Sequence, residues 1–275
     1  MQVRRYASGC GAVVTGLDLA SFSDAELAEL RKHFLEHGVL FFVDQKLTPE
    51  DHIAFARRFG SIVVNKFFPE NTGHPEIAEV RKEKEQRTNI GGGWHADHSY
   101  DDEPALGSIL VARELPEVGG DTLFANMFAA YDALSDGLKR TLGTMRAKHS
   151  NRHLYGAEGF YRKTDLASQL KGEEGVGDAV HPVVITHPDS GRKALYVNPG
   201  HTMHFEGWTP AESQPLLQYL YTHATRPEFT CRFRWSPGSV AFWDNRSSWH
   251  LAINDYHGSR RLMHRITLAG TKLPA

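Results

Sequence analysis

Gly91-Gly92-Gly93-Trp94-His95-Ala96-Asp97-His98-Ser99-Tyr100 is the point at which the chain changes character. Before it, apolar residues recur at helical spacing. After it, short apolar runs bounded by Gly, Pro, Asn and Asp take over. Strands are expected at 108–112, 183–186, 194–197, 230–235, 239–243 and 262–268, with helical inserts at 126–145, broken at Ser135, and from Thr209-Pro210 to 223. Many short strands with helices on the outside predict a mainly β protein with helical inserts, closed as a double-stranded β-helix of the jelly-roll, cupin-like kind.

The N-terminal part reads as helix, strand, helix. Ser23 with Glu26 three residues on makes a capping box, Leu27, Leu30, Phe34 and Leu35 share a face, and Gly38 supplies the stop. Thr48-Pro49 opens a second helix that ends near Phe59-Gly60, and Val39-Leu40-Phe41-Phe42-Val43 between them reads as a buried strand. Two stretches, 65–89 and 149–177, read as loops. The second is polar, Gly-rich and too long for a simple connection, so it is expected to be an active-site lid.

His-x-Asp decides little alone, because about one such triplet is expected by chance in a chain with 16 His. A second occurs, His187-Pro188-Asp189, but it runs into Ser190-Gly191 and reads as a turn. The first follows three glycines that allow close backbone approach. On a strand His95 and Asp97 point to one side, so both reach one ion. His250, just past the run 239–243, fits as a third ligand from another strand. Two imidazoles and a carboxylate leave three positions open, the ligand set of a non-haem Fe(II) oxygenase.

Arg261 follows eleven residues after His250, across a stretch read as a hairpin connection. Its planar guanidinium can hold a carboxylate by two parallel hydrogen bonds. Arg265 shares a strand face with Arg261 and Met263. Two buried cations need an anion between them.

Composition narrows the partners. A net charge of -2 with interspersed signs argues against a nucleic-acid footprint or a basic membrane patch. No run reaches membrane-spanning length, and Met1-Gln2-Val3-Arg4-Arg5-Tyr6 lacks the apolar core of a signal peptide. Cys10 and Cys231 are too few for a disulfide framework. A small-molecule partner, no nucleic acid, no membrane and a reducing cytoplasm are expected. No linker divides the 275 residues, so one domain over 1–275 is expected.

Residues 94–100, Gly119-Gly120-Asp121-Thr122, Trp243-Asp244-Asn245-Arg246, His250 and 261–265 together resemble the taurine dioxygenase family. That family includes the dichlorophenoxyacetate and phenoxypropionate dioxygenases. The resemblance extends to 11–19 and 38–60, nearly the whole chain. It implies the same jelly-roll fold, Fe(II) held by His95, Asp97 and His250, and 2-oxoglutarate and O2 as cosubstrates. It implies that Arg261 grips the distal carboxylate of 2-oxoglutarate, that Thr122 shares it, and that Arg265 lies near that cosubstrate and the substrate's anionic group. Asp97 implies hydroxylation, since related halogenases admit a halide where this carboxylate stands.

The expected substrate-site residues are Asn65, Phe67, His98, Tyr100, His204, Phe205 and Arg265, of which His98 and Tyr100 match family positions. Asn65 stands near the place where taurine dioxygenase carries a histidine that holds the sulfonate, which weakens taurine as the substrate. A sulfonate, alkyl sulfate, aryloxyalkanoate or phosphonate remains compatible, with hydroxylation beside the heteroatom expected to end in cleavage. A dimer or tetramer is implied by resemblance alone. Two other readings stand beside this one: a cupin-type metal enzyme with the same ligand types, which needs neither 2-oxoglutarate nor Thr122 and Arg261, and a non-enzymatic small-ligand sensor that binds iron or an anion. Trp243 and Trp249 read as core, and His149, His153, His201 and His223 receive no role.

Overall fold

Val39-Leu40-Phe41-Phe42 forms a strand buried along its whole length, and its alternation serves two different cores. Leu40 and Phe42 face helices Asp24–His37 and Pro49–Arg57, packing with Leu30, Phe34, Ile53, Phe55, Phe242 and Ile266. Val39 and Phe41 face the other way, against Phe124, Phe233, Trp235, Trp243 and Met263. Phe41 stacks on Phe233 with ring centroids 4.1 Å apart. In this computed structural model residues 1–71, 73–172 and 174–274 are described; Thr72, within the expected loop 65–89, and Glu173, within the expected lid, lie outside them, and statements on those two stretches concern their described residues.

The strand belongs to a large sheet. Its order is Gln2–Arg5, Ala12–Thr15, Val39–Phe42, Val240–Asp244, Gly107–Glu114, Arg261–Leu268, His74–Lys82 and Glu70–Asn71, with Ile62–Val63 also on Arg261–Leu268. All of its pairs are antiparallel except Ala12–Thr15 with Val39–Phe42. Thr122–Asn126 forms a smaller sheet with Thr230–Phe233 and Ser248–Ala252. The inner core lies between the two sheets, so the chain is mainly β with helices packed outside.

Helix boundaries follow the capping residues. Ser23 and Glu26 close the capping box, and Gly38 ends the helix at φ 69°. Ser135 does divide the insert, as N-cap of Asp136–Leu142 after Met127–Asp132. Residues 65–89 are not simply a loop, because His74–Lys82 is a strand beside Arg261–Leu268. Its polar surface hid it: Glu76 pairs with Arg57 at 2.9 Å while Ile77 and Ala78 are buried. Residues 149–177 are also more ordered than a loop, with a short helix Arg152–Tyr155 and two 3-10 turns. Tyr161, Leu166 and Val176 there pack with Phe67, Phe68 and Tyr100.

His187-Pro188-Asp189 is a turn between Val184–Thr186 and Lys193–Leu195, and its polar side chains serve the Asp244 corner. Arg246 donates to Asp244 from Nε (2.9 Å) and Nη2 (2.7 Å), and reaches Asp189 from Nη1 at 2.8 Å. The fully enclosed His187 lies with Nε2 2.9 Å from Asp244 Oδ2. Burial pushes the Asp244 carboxyl upward, but Arg246 and His187 outweigh it and hold the group well below the usual carboxylate range. No helix among the described residues is long and apolar enough to cross a membrane.

Candidate active site

His95 and His250 are brought face to face by the backbone. His95 N–H donates to His250 O (3.1 Å) and His250 N–H to His95 O (2.9 Å), an isolated antiparallel bridge that sets the imidazole centroids 4.1 Å apart. Asp97 arrives differently from the expectation that it shares a strand with His95. The chain turns immediately after it, with His98 at φ 58° and His98 Nδ1 2.8 Å from Asp101 Oδ2. Asp97 is instead held by Ser108, whose hydroxyl donates to Oδ2 at 2.9 Å.

The three side chains converge. His95 Nε2 lies 3.6 Å from Asp97 Oδ1, His250 Nε2 lies 3.9 Å from Asp97 Oδ2, and one ligand atom from each falls within 4.8 Å of the others. His95 Nδ1 is 2.8 Å from the Gly93 carbonyl, which can only accept, so that nitrogen carries the proton and Nε2 presents its lone pair. Burial pushes the His250 imidazolium to a pKa well below normal, helped by the neighbouring His95, so His250 is neutral. Burial alone would raise Asp97; Arg265 first and then the imidazoles hold it ionised, well below the usual range. Neutral nitrogens beside an ionised carboxylate suit a divalent cation.

Close packing of backbone fixes the His95 ring. A Cβ on Gly91 would stand 3.0 Å from its Cε1 and one on Gly200 2.6 Å from its Cβ, so larger residues at either place would displace the imidazole.

Behind Asp97 a relay crosses the sheet: Trp243 Nε1 donates to Asn245 Oδ1 (2.8 Å), and Asn245 Nδ2 approaches Ser108 Oγ at 3.4 Å. Nothing in the sequence singles out Ser108, and Asn245 stands out only as part of the family-like run 243–246, because the pairing of Val240–Asp244 with Gly107–Glu114 is what puts them behind the carboxylate. Ser108→Ala should weaken iron retention by about 10–100-fold, as loss of an outer-shell partner does. Competitive chelation with the folded variant measures it.

Arg261 enters from the opposite sheet. The stretch 253–258, expected as a hairpin connection, is not one: Ser248–Ala252 belongs to the small sheet and Arg261–Leu268 to the large one, so the chain crosses between them. Arg261 is buried, its pKa pulled down by that burial, and its Nε and Nη2 have no hydrogen-bond partner. It shares a cavity of about 40 Å³ with His95, Thr122, His250 and Arg265. Trp235 Nε1 donates to Thr122 Oγ1 at 3.0 Å, leaving the Thr122 hydroxyl proton free to point elsewhere. A guanidinium edge with two unused N–H groups beside a free hydroxyl is the donor set that a carboxylate fills. Arg265 already has an anion, since its Nη1 lies 3.3 Å from Asp97 Oδ1, while its Nε is unpartnered.

Gly91 and His95 also line a second cavity of about 100 Å³, with Tyr155, Tyr161, Gly200 and His201. His201, Tyr155 and Tyr161 are additions to the sequence reading; periodicity gives no sign that they meet here. Phe67, His98 and Tyr100 line a third, of about 170 Å³. Asn65 Oδ1 accepts from the N–H groups of Phe67 (2.9 Å) and Phe68 (2.8 Å), and its buried Nδ2 is unpartnered. His204 and Phe205 lie elsewhere. Strand Thr202–Phe205 pairs with Arg146–Ser150, so Phe205 enters the core under helix Pro210–Ala224 and His204 Nδ1 sits 2.9 Å from a backbone carbonyl.

Known proteins match this arrangement along its length. The family described as "Taurine catabolism dioxygenase TauD, TfdA family" matches residues 2–267. A (S)-phenoxypropionate/alpha-ketoglutarate-dioxygenase of Sphingobium herbicidovorans is 37% identical over 272 residues, covering 94% of this chain and 92% of that protein. An alkylsulfatase of Acinetobacter baylyi is also 37% identical, covering 98% of this chain and 85% of its own. The crystal structure of AAD-2 in complex with Mn(II) and N-oxalylglycine superposes with a TM-score of 0.85 at 31% identity, covering 100% of this chain and 99% of that one. The chain is a 2-oxoglutarate-dependent non-haem iron dioxygenase that uses Fe(II), 2-oxoglutarate and O2 on a small organic molecule, and it belongs to the taurine catabolism dioxygenase TauD, TfdA family.

Proposed function

We propose that this dioxygenase hydroxylates a small organic anion with an aromatic or compact alkyl body: an aryloxyalkanoate, an alkyl sulfate, a sulfonate or a phosphonate. The observation that carries the reading is the unpartnered Nε of buried Arg265 in the same cavity as the two metal-facing imidazoles, beside the Arg261 edge that the cosubstrate takes. The relatives named for phenoxypropionate and for alkyl sulfate support the substrate class.

In this reading His95, Asp97 and His250 hold Fe(II). Arg261 and Thr122 take the distal carboxylate of 2-oxoglutarate, and Arg265 steadies Asp97 from one nitrogen while its free Nε faces an anion. When bound, iron with 2-oxoglutarate and O2 supplies C–H hydroxylation as the cosubstrate becomes succinate and CO2. The protein's part is placement: Gly93 fixes the His95 tautomer, Ser108 fixes Asp97, and the aromatic wall of Phe67, Tyr100, Tyr155 and Tyr161 orients the substrate and excludes water. Asn65, His98 and Arg265 supply the polar contacts. Residues 149–177 act as the cover, and Tyr161 already ties that segment to the iron side by accepting from Gly91 N–H at 3.2 Å.

The fold is proposed to be a jelly roll, a double-stranded β-helix making one domain over 1–275. The two facing sheets with an apolar interior support it. The protein is further proposed to be cytoplasmic and to assemble as a homodimer or tetramer, without nucleic-acid or membrane partners. Hydroxylation beside an ether or ester oxygen gives an unstable product, so cleavage to a carbonyl compound is the expected outcome.

Succinate release measured across the four anion classes, with matched neutral esters as controls, tests the substrate reading. Release that depends on an anionic substrate is expected, whereas equal turnover of the neutral analogues would contradict it.

A further inference from the structure

The last turn of helix Asp24–His37 carries a second group of side chains able to hold a metal, His33, Glu36 and His37, on an element that contributes nothing to the triad. Spacing of three and four puts His33, Glu36 and His37 on one helix surface. Glu36 lies between the imidazoles: its Oε2 is 3.9 Å from His33 Nδ1 and its Oε1 3.8 Å from His37 Nε2. His33 Nδ1 is enclosed and has no hydrogen-bond partner. One ligand atom from each residue lies within 4.8 Å of the others, and among the described residues the triad is the one other group for which that holds.

We propose that His33, Glu36 and His37 form a second divalent-metal site, separate from the iron centre and suited to Zn(II), Cu(II) or Ni(II). Two imidazoles and one carboxylate are a borderline ligand set that prefers these ions to Mg(II) or Ca(II). Tetrahedral bonds of about 2.0–2.1 Å place ligand atoms about 3.3 Å apart, so side chains now within 4.8 Å of one another need to close by up to about 1.5 Å. Glu36 is more than half exposed and free to make that move.

Glu36 and the helix end attract a cation here, and Arg5 and Arg192 beside them oppose it. The three residues stand at the helix C-terminus, where the aligned carbonyls concentrate negative potential. Glu36 and His37 also border a cleft of about 230 Å³ with Arg5, Asn126 and Arg192, so the remaining coordination position opens to water or a small anion. Gly38 follows at once, and its carbonyl accepts from Asp244 N–H at 2.8 Å. A metal here therefore clamps the junction between the helix and the strand pair that leads to Trp243 and Asn245. Binding should raise the unfolding temperature in proportion to the logarithm of metal concentration.

Metal-stripped full-length protein dialysed against Zn(II), with bound metal counted by elemental analysis, tests the site. Two equivalents are expected for the unaltered chain and one for His33→Gln/His37→Gln. One should also remain in His95→Ala/His250→Ala, and none in the four-fold variant. If the triad variant does not fold, Glu36→Gln in the otherwise unaltered chain should still weaken the second equivalent by about tenfold or more. A single equivalent in the unaltered protein, or a second one that survives loss of both His33 and His37, would overturn the proposal. Neither result bears on turnover at the triad, which the His33→Gln/His37→Gln variant should retain.

Discussion

Arg261→Leu should weaken 2-oxoglutarate binding by about 10²–10³-fold and yet make the apoprotein harder to unfold. Both effects come from one fact: the guanidinium is buried with Nε and Nη2 unpartnered. Without cosubstrate the protein bears the desolvation of a cation whose Nε and Nη2 meet no carboxylate, with Asp121 acting on it only weakly against that burial. An apolar residue of similar length removes that cost, a change worth about 1 kcal/mol or more. For a chain of this size that is about 2–4 °C in Tm per kcal/mol. With cosubstrate the balance reverses. The variant leaves the distal carboxylate buried and unpaired at about 3–4 kcal/mol, which sets the predicted loss of affinity. Thermal unfolding with and without saturating 2-oxoglutarate reads both. A variant less stable than the parent in the apo state and equally stabilised by 2-oxoglutarate would mean that Arg261 serves the fold alone.

Asp244→Asn should cost about 3–5 kcal/mol of stability, because it removes the one anion shared by Arg246 and His187 in an enclosed site. Its pH signature follows from the lowered pKa. A carboxyl titrating lower in the folded state than its unfolded value near 4 contributes fully above that pH, and the contribution is lost as the pH falls through the folded value. Urea unfolding midpoints for parent and variant should therefore differ most at neutral pH and converge in acid. A gap that stays constant down to the acid transition would contradict the assignment.

The three residues proposed to hold iron are legible in the sequence because their chemistry is written in residue type. His95, Asp97 and His250 converge as expected, yet strand alternation gives the wrong route for Asp97. A His at φ 58° breaks the strand that simple alternation would continue, and nothing in the letters Ala-Asp-His-Ser signals the turn. The crossing at 253–260 is hidden for a related reason, since a Gly-containing connection reads the same whether it joins two strands of one sheet or passes between sheets. Ser108 and Trp235 escape notice, and Asn245 is noticed only as part of a family-like run without its role, because those roles are tertiary: each is an ordinary polar or aromatic residue until strand pairing sets it behind a site residue. Phe205, expected at the substrate site, lies in the core instead, because the register of Thr202–Phe205 against Arg146–Ser150 turns it inward. Helices fare better. Ser23, Thr48, Ser135 and Thr209 cap locally, and local signals survive whatever the rest of the fold does.

The central claim is that one cavity joins an iron triad to a carboxylate grip. Anaerobic titration of the metal-free protein with Fe(II) and 2-oxoglutarate tests it most directly, through the visible charge-transfer band of an iron-chelated 2-oxo acid. The band should grow to saturation in the unaltered chain, vanish in His95→Ala, and require about 10²–10³ times more 2-oxoglutarate in Arg261→Leu. Absence of the band in folded, iron-loaded protein would contradict the account.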